Sequence, residues 1–475
     1  MAWQFVLVLA CISAAVPARA FQASTDIESL KVEADQAYRG GDHAHVIELT
    51  DRVLASNPDD HVALYLRASG RVELGLARRD ARIVRQGITD AREAIRLEGS
   101  GKADYYLPYL FGMTNLSIIE GKPVHAETAR SVIDQLLEKS QFSDEEHANL
   151  LYQRGLANLQ ARAPDAARSD FNEAIQLKSD HLAAFVALAS ATLSVKGPDA
   201  ALGVHNRAVA SIAGNPLLLN NRAMHFHSLG RDKDALSDFA AALKADPEYV
   251  PALVNRAYVL MQMNDADAAE QDLAAALEID PEFAQAHRLR GTILVNQGRP
   301  GDAVPEYEKV CRLEPANGMA FADLAFAHFF AQDYAKALAE FNRARDLNPD
   351  IPFLTPWRLA AAVRTGQNLS SEPNVLAAVA RPTAQRTWFD WLTLYQLGKI
   401  TDGELLAAAN PTDASVRQAQ LCEAYYFIGL EMVRRKKTDE AQAFFAQALG
   451  TEAERLSAFR GARVALQGLE GQSRQ

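Results

Sequence analysis

Two histidine pairs, His43-x-His45 and His225-x-His227, and the thiols Cys11, Cys311 and Cys422 are the side chains best suited by type to hold a metal. On a helix, neighbours two apart point in different directions, so neither pair can aim both rings at one ion. No Cys-x-x-Cys, His-Glu-x-x-His, Gly-x-Ser-x-Gly or Walker loop occurs, and Asp390 and Glu404 alone do not make a paired-acid site. The remaining Asp and Glu fall mainly in turns and on polar helix faces, where solvation explains them. No metal, cofactor or catalytic residue is expected. A second group of side chains can bind rather than react: Tyr152, Asn220, Met224, His227, Tyr258, Met261, Gln262, Arg288, Asn296, Phe326, Phe329 and Phe330. Flat rings and adaptable methionines supply contact area, while amides and Arg288 can hydrogen-bond a peptide backbone or hold a carboxylate.

What must position them is a repeat. Six 34-residue units start at 148, 182, 216, 250, 284 and 318, with alanine at the twentieth position of each, from Ala167 to Ala337. Position eight is always small (Gly155, Ala189, Ala223, Ala257, Gly291, Ala325), and position twenty-seven is alanine except at Val310. Position twenty-four holds the plugs Phe171, His205, Phe239, Leu273, Tyr307 and Phe341. Small residues let two helices approach, and the plug fills the gap, so each unit is a helix, a turn and a second helix. A single unit cannot bury its apolar face, so neighbours must stack. Asp246-Pro247, Asp280-Pro281 and Asn348-Pro349 read as a capping side chain before a proline at the first helical position. Asn264-Asp265 and the glycine turns at 230 and 298 read as connections inside units. Pro305 is tolerated in a first turn if Asp302 is the cap. Arg154, Arg222, Arg256 and Arg290, all at position seven, imply inter-helix hydrogen bonds rather than a site.

This pattern resembles the tetratricopeptide repeat family over residues 148–351, meeting its G-x2-Y…A-x3-F…P arrangement by spacing and residue type. The resemblance implies an all-α fold, a right-handed superhelix of about nine units, one or two of them degenerate. It also implies a concave groove lined by positions two, five, nine, twelve and thirteen of each first helix, which is where the twelve binding side chains fall. Phe326, Phe329 and Phe330 have a second reading, packing against the segment that follows. Asn221 and Asn255 at position six resemble a backbone-gripping asparagine ladder, with too few rungs to carry a site.

Looser units are expected over 27–147, an irregular helical segment over 352–421 with Trp357, Trp388 and Trp391, and a last unit with a capping helix over 422–475. Gly429, Ala441, Phe445 and Ala448 repeat the offsets of positions eight, twenty, twenty-four and twenty-seven. The stretches Trp388-Phe389-Asp390-Trp391-Leu392 and Cys422-Glu423-Ala424-Tyr425-Tyr426-Phe427-Ile428-Gly429 resemble the C-terminal region of NlpI-like bacterial envelope proteins. That resemblance implies a non-catalytic scaffold holding murein hydrolases or envelope proteases.

The first residues, Phe5-Val6-Leu7-Val8-Leu9-Ala10 followed by Ala18-Arg19-Ala20, have the apolar core and small-x-small site of a secretory leader over 1–20, cleaved before Phe21. Retention as an anchor needs about 20 apolar residues, more than this run has, and Val8-Leu9-Ala10-Cys11 is a weak lipidation motif. The chain carries a formal charge of −11, or −12 without Arg19, which disfavours nucleic acid as a partner. Cys311 and Cys422 read as two buried thiols. The expected function is therefore a periplasmic or secreted scaffold taking protein or peptide partners in its groove, with peripheral association to envelope complexes. The alternative is a structural part of a secretion, pilus or polysaccharide-export assembly. The sequence leaves the oligomeric state open.

Overall fold

The computed structural model describes residues 26–99, 101–138 and 142–473. The expected leader, its cleavage site and Cys11 lie outside them. Two compact units divide the chain at Asp246 and Pro247. Each is built of antiparallel helices whose apolar stripes face one another.

Unit 1 contains α1 (Asp26–Arg39), α2 (His43–Ser56), α3 (His61–Ala77), α4 (Ala81–Glu98), α5 (Ala103–Glu120), α6 (Val124–Leu137), α7 (Asp144–Gln160), α8 (Pro164–Leu177), α9 (Leu182–Lys196), α10 (Pro198–Ser211), α11 (Pro216–Ser228) and α12 (Asp232–Ala245). Odd-numbered helices are the first of each pair, and consecutive helices pack on one another. Helix starts are set by local chemistry. Asp42 and Asp60 accept from the backbone N–H groups of His45 and Ala63, at 3.0 and 2.9 Å, and prolines open α8, α10 and α11 where no N–H is needed.

Unit 2 contains α13 (Val250–Gln262), α14 (Ala266–Ile279), α15 (Ala284–Asn296), α16 (Pro300–Leu313), α17 (Gly318–Phe330), α18 (Tyr334–Leu347), α19 (Leu354–Thr365), α20 (Pro373–Ala380), α21 (Trp388–Gln396), α22 (Asp402–Ala408), α23 (Ala414–Arg434), α24 (Thr438–Leu449) and α25 (Ser457–Ser473). The small-and-plug rule is visible here. A Cβ on Gly291 would come within 2.8 Å of the Tyr307 ring, and one on Gly429 within 2.6 Å of Phe445. Both plugs are buried.

Arginine at position seven makes the inter-helix bonds its recurrence implies. Arg222 grips Asp238 through Nε and Nη2, at 2.6 and 2.7 Å, Arg256 grips Asp272 at 2.7 and 2.6 Å, and Arg154 Nε donates to Asp170 at 3.0 Å. Each acid lies sixteen residues further on, at the matching point of the second helix. Arg290 keeps the same register more loosely: its Nη1 lies 3.5 Å from Glu306, which His287 also contacts at 2.6 Å, and its Nε donates to Glu270 at 2.7 Å.

Two local expectations are corrected. Asp280 and Asn348 end α14 and α18 outside the helical region (φ −129° and −136°) and do not open the next helix. Likewise Asp246 terminates α12. The residue before proline is pushed out of the helical region, so each Asx-Pro pair acts as a stop. Similarly, α16 starts at Pro300, which places Pro305 inside the helix and not in its first turn. The turn residues Asn264 and Gly298 take left-handed φ of 63° and 78°, and Asp265 caps α14.

Candidate functional site

Five of the residues assigned to a groove by helix position are core side chains. Tyr152 on α7 is only 3% exposed, with its ring 5.3 Å from His181 and 5.9 Å from Phe171. Asn220 on α11 is 5% exposed and donates to Asn221 at 3.4 Å. Phe326 and Phe329 on α17 are 8% and 2% exposed, and Phe330 is buried beside them. All three surround Trp357, at 4.9, 5.3 and 6.1 Å between ring centroids. The packing alternative for these phenylalanines is the one realised, because the helices after α18 close over them.

Seven others keep access to solvent, Gln262 at the end of α13 among them. In unit 1, Met224 and His227 are partly exposed on α11, and the His227 ring contacts Asp232 at 2.6 Å. His225 turns the other way and donates Nε2–H to the Pro198 carbonyl at 2.8 Å, so this pair diverges as its spacing dictates. In unit 2, Tyr258 and Met261 on α13, and Arg288 and Asn296 on α15, are partly exposed. Arg288 donates to Glu314 at 3.3 Å and lies 3.4 Å from Asp323. Among the described residues no three His, Cys, Asp or Glu side chains converge on a possible ion.

Residues 125–181, 254–318 and 289–352 match the tetratricopeptide repeat family. Those stretches are tetratricopeptide repeats. Among solved structures it is similar to Pseudomonas aeruginosa PilF, at 19% identity over 44% of this chain and 94% of that one, with a TM-score of 0.38. It is also similar to YrrB, described as a tetratricopeptide repeat protein with an unusual peptide-binding site (20% identity, 41% and 97% covered, TM-score 0.31). A third is a tetratricopeptide repeat protein from Parabacteroides merdae (14%, 68% and 99%, TM-score 0.37). These likenesses concern the fold alone. No curated protein sequence matches the chain. Tetratricopeptide repeat proteins generally bind proteins or peptides.

Within the repeat frame several buried ionisable groups went unnoticed in the sequence. Burial pushes the Glu73 carboxyl on α3 up to about 7, and its charge reaches Tyr152. Glu423 on α23 is pushed up to about 7 by burial, against a 2.6 Å hydrogen bond from Trp388 Nε1. The thiols Cys311 and Cys422, by contrast, are free and buried as the sequence leads one to expect, and burial raises them to about 12 and about 11. A cleft of about 610 Å³ is lined by Arg364, Tyr395, Lys399, Asp402, Glu431 and Arg435. Much of its charge is already engaged: Tyr395 donates to Asp402 at 2.8 Å and Arg435 to Glu431 at 2.7 Å.

The helix after the last pair has a specific place. Helix α25 packs on α24 and also on α15, α17 and α23. Its buried strip is Ala458, Phe459 and Ala462. Arg463 donates to the Asn296 carbonyl at 3.3 Å, and the charge of Arg455 acts on the Tyr258 hydroxyl. Three of the expected groove residues of unit 2, Tyr258, Arg288 and Asn296, therefore adjoin the chain's own last helix or its immediate neighbours.

Proposed function

We propose that this tetratricopeptide repeat chain is a non-catalytic scaffold of the bacterial envelope that holds protein or peptide partners on the first-helix faces of its repeats. The observation that carries the reading is the set of partly exposed side chains on those faces, Met224 and His227 in unit 1 and Tyr258, Met261, Arg288 and Asn296 in unit 2. They combine aromatic and thioether area with hydrogen-bonding groups, a composition suited to peptide contact. A periplasmic location rests on the leader-like first twenty residues. Among the described residues no helix is long and apolar enough to cross a membrane. Murein hydrolases and envelope proteases are the partner class suggested by the NlpI-like character of the tail.

The test is affinity capture from a native envelope extract, using the wild-type chain, a Met224→Ala, His227→Ala variant and a Tyr258→Ala, Met261→Ala variant, each checked by circular dichroism. Capture of a hydrolase or protease by the wild type, and its loss from one variant, supports the reading and assigns the unit. Unchanged capture by both variants, or none by the wild type, sinks it.

A further inference from the structure

The last helix is placed where a ligand of the repeats would be. A helix that merely ends a solenoid covers the outer side of the last pair. Helix α25 does cover the last pair, packing most extensively on α24 and then on α23, but it also reaches beyond that pair to the first helices α15 and α17, with no comparable packing on the second helices α14, α16 or α18. It follows the face on which a tetratricopeptide array takes its partners.

Its fit is shaped but incomplete. Gly461 lies against Phe330 and Tyr426, where a Cβ would fall 2.6 Å from both, so the helix backbone is pressed directly onto the aromatic floor. Ala458, Phe459 and Ala462 fill the strip beside it. After Ala462 burial decreases: Arg463 to Leu466 are half-buried and Gln467, Gly468 and Glu470 are exposed, while Val464, Ala465, Leu466 and Leu469 still pack against the core. The polar seam is under-satisfied. Arg460 Nε and Arg288 Nε are buried without a well-aligned hydrogen bond among the described residues, Arg288 Nε lying 3.4 Å from an Asp323 carboxylate oxygen, and the charges of both arginines act on Asp323. A buried donor left without its bond weakens the contact that buries it. Gly461 and Gly468 lower the helix propensity of the segment.

We propose that the first-helix face of unit 2 is a groove for an amphipathic helix, held in cis by α25, and that a protein partner enters by presenting a helix of the same build and displacing it. The resident helix defines that build: alanine and phenylalanine on the inner strip, a residue no larger than glycine over Phe330 and Tyr426, and arginine toward Asp323. This rests on the scaffold reading above and adds to it the kind of partner and the element that regulates access.

The test uses the full chain and a fluorescein-labelled peptide of residues 453–473 as probe. In the wild type, cis α25 competes at high effective concentration and the probe binds weakly. Gly461→Val removes the cis fit, and probe affinity measured by anisotropy is expected to rise by about tenfold or more. Equal binding to both chains overturns the proposal. Because the bulkier side chain could unsettle the unit, hydrogen exchange on the unmodified chain is the second measurement. Amides of 459–466 should exchange about 100-fold faster than those of 424–430 in α23, as a separately opening segment does. Equal protection would show α25 to be fixed core and would overturn the proposal. That result leaves the scaffold reading standing, since the Met224 and His227 capture test does not involve α25.

Discussion

Trp357 of α19 meets Phe326 of α17 edge to face, with ring centroids 4.9 Å apart and planes at 87°. The same indole lies 5.3 Å from Tyr426 and 5.0 Å from Phe427 on α23. One side chain therefore joins the last regular pair to the helices that follow. Trp357→Ala should destabilise unit 2 by about 4 kcal/mol, the usual result of emptying a buried aromatic site. Urea unfolding followed by far-UV circular dichroism measures it. A loss below about 1 kcal/mol would mean that α19 and α23 are not packed through this residue.

The position-seven ion pairs predict a different asymmetry. Asp238 is buried and accepts both bonds from the Arg222 guanidinium, which is itself only 20% exposed. Asp238→Ala leaves that partly buried cation without a counter-ion, held only by its 3.2 Å bond to Asn206, at about 3 kcal/mol. Replacing both partners, Arg222→Met with Asp238→Leu, removes the unpaired charge together with the pair and should cost distinctly less. Thermal unfolding of the three chains at low and high salt tests this; a double variant as unstable as the single one would refute it.

These two cases show what sequence can carry. Positions eight, twenty-four and twenty-seven are fixed by the distance between two helices, so Gly291 and Tyr307 announce their contact. Arg222 and Asp238 announce theirs by recurring sixteen apart. The groove was less legible, because a helix position says which way Tyr152 or Phe329 points but not what later covers it. Trp357 covers Phe329, and His181 stands against Tyr152. One further signal was present. Counting 34 residues on from 318 puts Arg358 at position seven, where it donates to Asn342 at 2.8 Å and to both oxygens of Glu372 at 2.7 Å. Prolines 352 and 356 obscured it. The return of α25 has no periodic signature at all, since it follows from the surface left open by α15, α17 and α23.

Glu423 gives unit 2 a pH dependence of uncommon sign. Its carboxyl is raised from an ordinary 4.5 to about 7 by burial, so between those values the folded chain holds a proton that the unfolded chain has released. Stability then falls as pH rises through this window, by an amount on the order of 3 kcal/mol at its upper end. Glu423→Gln keeps an acceptor for Trp388 and removes the titration. It should match the wild type near pH 5 and exceed it at pH 8 in urea midpoint. A variant no more stable than wild type at pH 8 would show that the carboxylate is solvated.

His205 makes the opposite prediction in unit 1. It occupies the plug position where other units place Phe171 or Phe239, and burial lowers it to about 4, helped by the neighbouring His225 and Arg222. Its ring lies 5.1 Å from that of His225. The folded state therefore keeps the imidazole neutral while the unfolded chain takes up a proton below pH 6.5. This stability is present above pH 6.5 and is lost as pH falls toward 4. His205→Phe installs the plug of the neighbouring unit and removes the titrating group, so unit 1 should hold its melting temperature further into acid than the wild type. Thermal scans at pH 7.5 and 5 decide it. An equal acid-induced drop in both chains would place the cause elsewhere, with His181, also lowered to about 4 by burial, the next group to replace.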